Sequence, residues 1–370
     1  MSSDRSAKSA PQSGLLGKIR TGNRAVMDFV QGLGLLAVIV VGSTLLGLAT
    51  PVFFTRINLE NLLYSSTIIA VVAIGQAFVI LVCGVDLSVG AVMALASVMC
   101  VGLPISLGIP VWLAAILALG LGAMIGFING LSVTVIKIPP LIATLAMMSV
   151  ARGGAFIYSG GRNIAPVPDI YVDLQATRLF GVPVVIIFTI GVGIFAHFVL
   201  SSTRFGREIY ATGGNAVAAR LSGIRTNQVI LSAYVISGVT AAIGGLMITA
   251  RLEAGAATAG FGAELTVISA VVIGGVSLSG GEGRIGGVLL GVILLGLVQN
   301  AINLLNVPPN YDYVVSGLVI AAAAGLDVFR RSFAEAALRR RSILGKSAVG
   351  GTPPRSSESN HKPTSPMPTG

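Results

Sequence analysis

The 370-residue chain is 54% hydrophobic and only 10% charged, with a mean hydropathy of +0.89. A soluble globule would carry about 25% charged residues, so a soluble fold is excluded and a multispanning membrane protein is indicated. The net charge of +10 does not mark a nucleic-acid binder, because its basic residues cluster beside apolar runs, where they act as topology determinants.

The leader MSSDRSAKSAPQSG has no apolar period, and the segment 1–32 reads as a disordered basic leader. A signal peptide is not expected, since the first apolar run begins after this leader and is long enough to span. With a helical span needing roughly 20 apolar residues, about ten candidates follow in chain order. They are Leu33–Phe54, Ser66–Val82, Val89–Leu103, Val111–Val135, Pro140–Tyr158, Val182–Leu200, Val229–Ala250, Leu265–Leu278, Ile285–Leu305 and Val314–Val328. The transmembrane domain is therefore 33–329, and 330–370 reads as a basic, largely disordered tail. Placing both termini in the cytoplasm puts every basic residue inside except Arg56, Arg152, Arg162, Arg178 and Arg251, which lie outside or near an outer interface. The 48 glycines suit closely packed transmembrane helices. Cys83 and Cys100 lie in apolar surroundings and read as reduced packing residues.

Between the second and third runs stands CGVDLSVG, residues Cys83–Gly90. An ionisable Asp86 flanked by apolar runs is costly unless the backbone or a partner compensates. Gly84 and Gly90 bracket Asp86 and Ser88, and the neighbouring runs are short, so the helix is expected to break here. Asp86 or Ser88 would cap the helix AVMALASVM, where the positive end of its dipole favours a carboxylate. Irregular backbone at membrane depth is tolerated when buried in protein or lining a water-filled cavity, so the motif is either a structural cap or a border of a translocation path. The fold expected is an all-α integral membrane protein of about ten helices with one broken or re-entrant region near Gly84–Gly90.

The longest inside connection, Ser201–Gln228, contains Gly213-Gly214-Asn215, then AVAARLS, then Gly223. This reads as an N-cap Asn, two helical turns and a Gly stop. Gly213, Gly214 and Gly223 would permit tight turns. Val217 and Leu221, at i and i+4, share a face; beside Arg220, that apolar knob either fits a groove on a partner or rests on lipid headgroups.

Signals for other chemistry are poor. The only histidines are His197 and His361, so no His/Cys metal cluster is assembled. Gly275-Val276-Ser277-Leu278-Ser279 lacks the final Gly of a nucleophile elbow. The glycine-rich GGEGRIGG lacks the G-K-[ST] ending of a phosphate loop, so any ATP must be bound by another chain.

TRFGREIYATGGNAVAARLSGI resembles the cytoplasmic loop of the permease subunits of bacterial ABC importers for ribose, xylose and related monosaccharides. Three further segments agree in order: GVDLSVGAVMAL, IKIPPLIATLAMMSVARGGA and ELTVISAVVIGGVSLSGGEGRIGGVLLG. The resemblance covers about Leu33 to Phe329; Leu141 and Ala146 stand where the family's pattern has Phe and Gly, departures that bear on substrate preference. It implies a multi-pass inner-membrane homodimer, not itself an enzyme, that works with a separate ABC ATPase subunit and a periplasmic sugar-binding protein. ATP and Mg would be bound by that ATPase, with no cofactor or metal on this chain and no nucleic-acid partner. Asn215–Ser222 would then be the coupling helix, with Arg207 and Arg220 as candidate ion-pair partners. Two alternatives stand beside it. A secondary transporter would relay an ion through Asp86, or less well Glu264, and a membrane enzyme would need Ser277 and His197.

Overall fold

The computed structural model describes residues 32–308, together with positions 311, 314, 317, 318, 321 and 325. The leader before Gly32, most of the expected span Val314–Val328 and the tail 330–370 lie outside the described residues. The elements below all fall within the unit that runs to Ala323.

Eight described helices are long and apolar enough to cross a membrane. They are α1 (Gly32–Ala49), α2 (Arg56–Leu81), α3 (Val89–Leu107), α4 (Val111–Leu131, continued by a π-helical turn, Ser132–Ile136), α5 (Pro140–Ser159), α7 (Val184–Ser202), α10 (Thr226–Leu252) and α12 (Ile285–Leu304). Between them lie α6 (Asp169–Ala176), a two-stranded hairpin of β1 (Arg178–Leu179) and β2 (Val182–Pro183), α8 (Arg204–Gly214), α9 (Ala216–Leu221) and the short apolar α11 (Ala263–Ile273). The expected run Leu265–Leu278 is thus an 11-residue helix, too short to cross by itself. The second helix starts at Arg56 rather than Ser66, because Thr55 Oγ1 accepts the Asn58 N–H at 3.4 Å and begins the helix ahead of the apolar run.

The core is built around α2, α3 and α10, whose Val71, Val72, Met93, Ala233, Tyr234 and Ala241 are fully enclosed. Glycine makes this packing possible. On α4, Gly122, Gly126 and Gly130 form one stripe, and a Cβ on them would strike the backbone of Gly238, Tyr234 and Leu231 on α10. The helices therefore touch main chain to main chain along three turns, the geometry small residues permit in membranes.

Two segments of irregular backbone run beside α3. Residues 82–88 turn back from the end of α2 and lead into α3. Residues 253–262 descend along α3 in the opposite sense: Ala256 N–H donates to Ser97 Oγ at 3.2 Å, and Gly260 packs on Gly90 and Met93. The first segment is the expected break at Gly84–Gly90; the second was not expected from the sequence.

Candidate functional site

The break near Asp86 is real, and its backbone is satisfied by side chains from the surrounding helices. Val85 O accepts from Thr144 Oγ1 of α5 at 3.3 Å and from the Tyr234 hydroxyl of α10 at 3.4 Å. Gln76 of α2, with its amide oxygen facing the Asp86 N–H, accepts from that N–H at 3.1 Å and donates to Asp86 O at 3.2 Å. Each contact replaces a helical or strand partner that this extended stretch lacks.

The Asp86 carboxylate, 1% exposed, is equally enclosed. Oδ1 accepts from the Ser88 N–H (2.9 Å) and hydroxyl (2.6 Å), and Oδ2 from the Ser237 hydroxyl (2.9 Å). Ser88 Oγ in turn accepts from Asn129 Nδ2 at 2.9 Å. This corrects the expected cap: Ser88 holds the N-cap position of α3 with no side-chain bond into the helix, and Asp86 accepts from Ser88 instead. The carboxylate is drawn away from the helix because hydroxyl donors on both sides supply what a cap would have. Gly84 and Gly90 are likewise close-packing positions. A Cβ on Gly84 would press on Tyr234 Oη and Val79, and one on Gly90 would strike Gly260 O and Glu264 Oε2. All four motif residues are turned into the interior of the subunit.

The second arrangement lies where α2 and α8 end and α9 begins. Asn215 is the N-cap expected: in extended backbone, its Oδ1 accepts the N–H groups of Val217 at 3.0 Å and Ala218 at 2.9 Å. Gly223, at φ 85°, stops the helix in the left-handed region that glycine tolerates. Val217 and Leu221 are 70% and 85% exposed, while Ala219 faces inward. Arg207 is exposed on α8, and Arg220 Nη2 donates to Thr226 Oγ1 at 3.3 Å, so Arg220 ties α9 to the start of α10.

Gly213 and Gly214 do not make the expected turn. They are the last residues of α8, a helix the sequence reading left unrecognised. Its signals were present: Thr203 Oγ1 accepts the Gly206 N–H at 3.1 Å, and Ile209, Thr212 and Gly213 form its buried face. Gly213 leaves no space for a Cβ, which would collide with Leu81 O and Gly281 N. Around it, the Gly281 N–H donates to Leu81 O at 2.9 Å. The Cys83 thiol donates to Ser279 O at 2.8 Å and Gly213 O at 3.2 Å, and the Tyr210 hydroxyl to Gly283 O at 2.8 Å. Two chain segments, the end of α8 and residues 279–283, thus close on the end of α2, immediately before the Asp86 break. A cleft of about 620 Å³ opens beside α9, lined by Arg204, Phe205, Glu208, Arg225, Gln228 and Ser232 among others.

A third polar feature is centred on Arg152. It stands in the second half of α5, and its Nη1 donates to the carbonyls of Ala257 (2.9 Å) and Ala259 (2.8 Å) in the irregular segment after α10. For the enzyme alternative, His197 is exposed on α7, and Ser277 Oγ accepts the Ser279 N–H within its own turn at 3.3 Å.

Comparison with known proteins gives a consistent result. Residues 58–324 match the family model described as the permease component of branched-chain amino acid transport systems. The ribose import permease of Haemophilus influenzae is 36% identical over 287 residues, covering 76% of this chain and 88% of that protein. The ribose import permease of Bacillus subtilis is 42% identical over 297 residues, covering 80% and 91%. An L-arabinose ABC transporter permease of Azospirillum brasilense is 36% identical over 307 residues, covering 83% and 90%. No solved structure matches the chain.

Proposed function

The chain belongs to this family of ABC importer permeases, multi-pass membrane proteins whose relatives here are sugar permeases, and from that premise we propose that it forms the path for a monosaccharide across the inner membrane. Two copies would assemble with an ABC ATPase on the cytoplasmic side and a periplasmic sugar-binding protein on the other. ATP and Mg belong to the ATPase chain, and both termini of the permease lie in the cytoplasm.

The observation that carries this reading is the exposed pair Val217 and Leu221 on a capped helix whose base is locked to the end of α2. An apolar pair held outward on a short rigid helix suits a groove on a partner. Closure of the ATPase would push α9, and α8 would pass the displacement through Gly213 to Leu81 and Gly281. The Asp86 segment begins at the same end of α2, so the two arrangements form one mechanical unit. In this reading Asp86 is a fixed joint, with Gly84, Ser88 and Gly90 packing it, and the motion is a rigid-body tilt of the attached spans.

Co-purification from native membranes tests the proposal. An ABC ATPase should co-elute with the wild-type chain and be lost when Val217 and Leu221 are changed to Asp. A chain that elutes alone and moves solute in vesicles without ATP would overturn it and return attention to an ion relay through Asp86.

A further inference from the structure

Arg152, Phe261 and Glu264 come together from three elements. Arg152 sits in the second half of α5, Phe261 in the irregular segment after α10, and Glu264 in the first turn of α11. The Arg152 guanidinium spends three of its N–H groups on the carbonyls of Ala257, Ala259 and Gly260, the last at 3.4 Å. A guanidinium has five such donors, so Nε–H and one Nη2–H remain. It lies over the Phe261 ring, 5.6 Å from the centroid, and the Glu264 carboxylate acts on it through space. Glu264 Oε2 is buried against Gly90 with no hydrogen-bond partner among the described residues, and Oε1 is not buried. Phe261 is 70% exposed, and the neighbouring α5 position, Gly153, leaves open space where a Cβ would stand.

A half-buried cation within a candidate span, with a half-buried carboxylate beside it, does not face hydrocarbon, where each is expensive. The irregular backbone beside them is largely buried in protein, with Thr258 and Phe261 left exposed. An exposed aromatic ring with a donor edge and an acceptor oxygen next to it is the chemistry that recognises a sugar. The C–H face of the ring packs on the aromatic, and hydroxyls both accept from guanidinium and donate to carboxylate.

We propose that Phe261, Arg152 and Glu264 form a sugar-contact subsite on the translocation path. The inference rests on the importer reading above and adds the place where the sugar is touched. Gly90 keeps the carboxylate in position, and the carbonyl bonds of Arg152 hold the guanidinium in place, so the subsite is fixed before the sugar arrives.

The test uses proteoliposomes holding the permease, its ATPase and its binding protein, with labelled ribose, L-arabinose and D-allose as probes. In Phe261→Leu and Glu264→Gln, sugar moved per ATP should fall about tenfold while the ATPase still co-elutes with the permease. Phe261→Tyr, which keeps an aromatic face, should restore most of the flux. Because Phe261 is exposed, its variants remain informative if Arg152→Lys fails to fold. Wild-type flux per ATP in both Phe261→Leu and Glu264→Gln overturns the subsite. A wild-type assembly that moves no monosaccharide of a panel of pentoses and hexoses with ATP overturns the importer reading itself, and is recognised without any variant.

Discussion

Gly90 of α3 lies directly against Glu264 Oε2 of α11, so that a methyl group at position 90 would occupy the oxygen's place. The absence of a side chain at one residue thus sets the position of a carboxylate far along the chain. Gly90→Ala should lower the stability of the purified subunit by about 1–3 kcal/mol, the usual cost of overpacking. In a double-mutant cycle with Glu264→Ala the two losses should not add. Relief should be partial, because Gly260 O also lies where the new methyl would go. Full additivity in thermal unfolding would show that the two residues are uncoupled.

Gly213→Ala addresses the junction at the end of α2. Both groups it would strike, Leu81 O and Gly281 N, are main chain and cannot rotate aside. We expect a subunit that still inserts but shows α8 released, seen as faster proteolysis at Arg204 and Arg207, with ATPase activity no longer coupled to uptake. Wild-type proteolysis and coupling together would refute the rigid junction.

Val217→Asp and Leu221→Asp change side chains that touch little of their own subunit. Thermal stability should stay within about 0.5 kcal/mol of wild type, while ATPase association is lost. A comparable fall in stability would mean the pair packs within the subunit rather than on a partner.

Asn215→Ala removes the acceptor for the Val217 and Ala218 N–H groups, a change that costs about 0.5–2 kcal/mol at an N-cap. Asn215→Asp keeps that acceptor. Coupling efficiency should therefore fall with Ala and be retained with Asp, and equal behaviour of the two would remove the cap from the mechanism.

At the break, Asp86→Ala strands the Ser88 and Ser237 hydroxyls and the Ser88 N–H, at about 1–3 kcal/mol for each donor. Asp86→Asn retains an acceptor and should fold at near wild-type yield. Equal yields and melting temperatures for Ala and wild type would show that the network contributes nothing.

Much of the bundle was legible because a span announces itself through an unbroken apolar run of sufficient length. The bounds of α3, α5 and α12 were read to within a few residues for that reason. Helix α8 was missed because RFGREIYATGG is polar and glycine-ended, and its stability comes from packing on Leu81 and Gly281 rather than from an apolar stretch. The Asn215 cap and the Gly223 stop were readable, since both are local. The partners of Asp86 and Arg152 were not: Ser237 is 151 residues from Asp86, and Ala257 is 105 from Arg152. Charge bias says nothing of the partners of Arg152, and only the fold shows carbonyls brought to it.

The seam of Gly122, Gly126 and Gly130 against α10 also bears on how this gene can change. Every missense change of a glycine codon installs at least a Cβ, and here each would meet backbone. Positions along that seam should therefore appear as a column of lethal or silent outcomes in a saturation library, with few intermediate phenotypes, whatever sugar the selection uses.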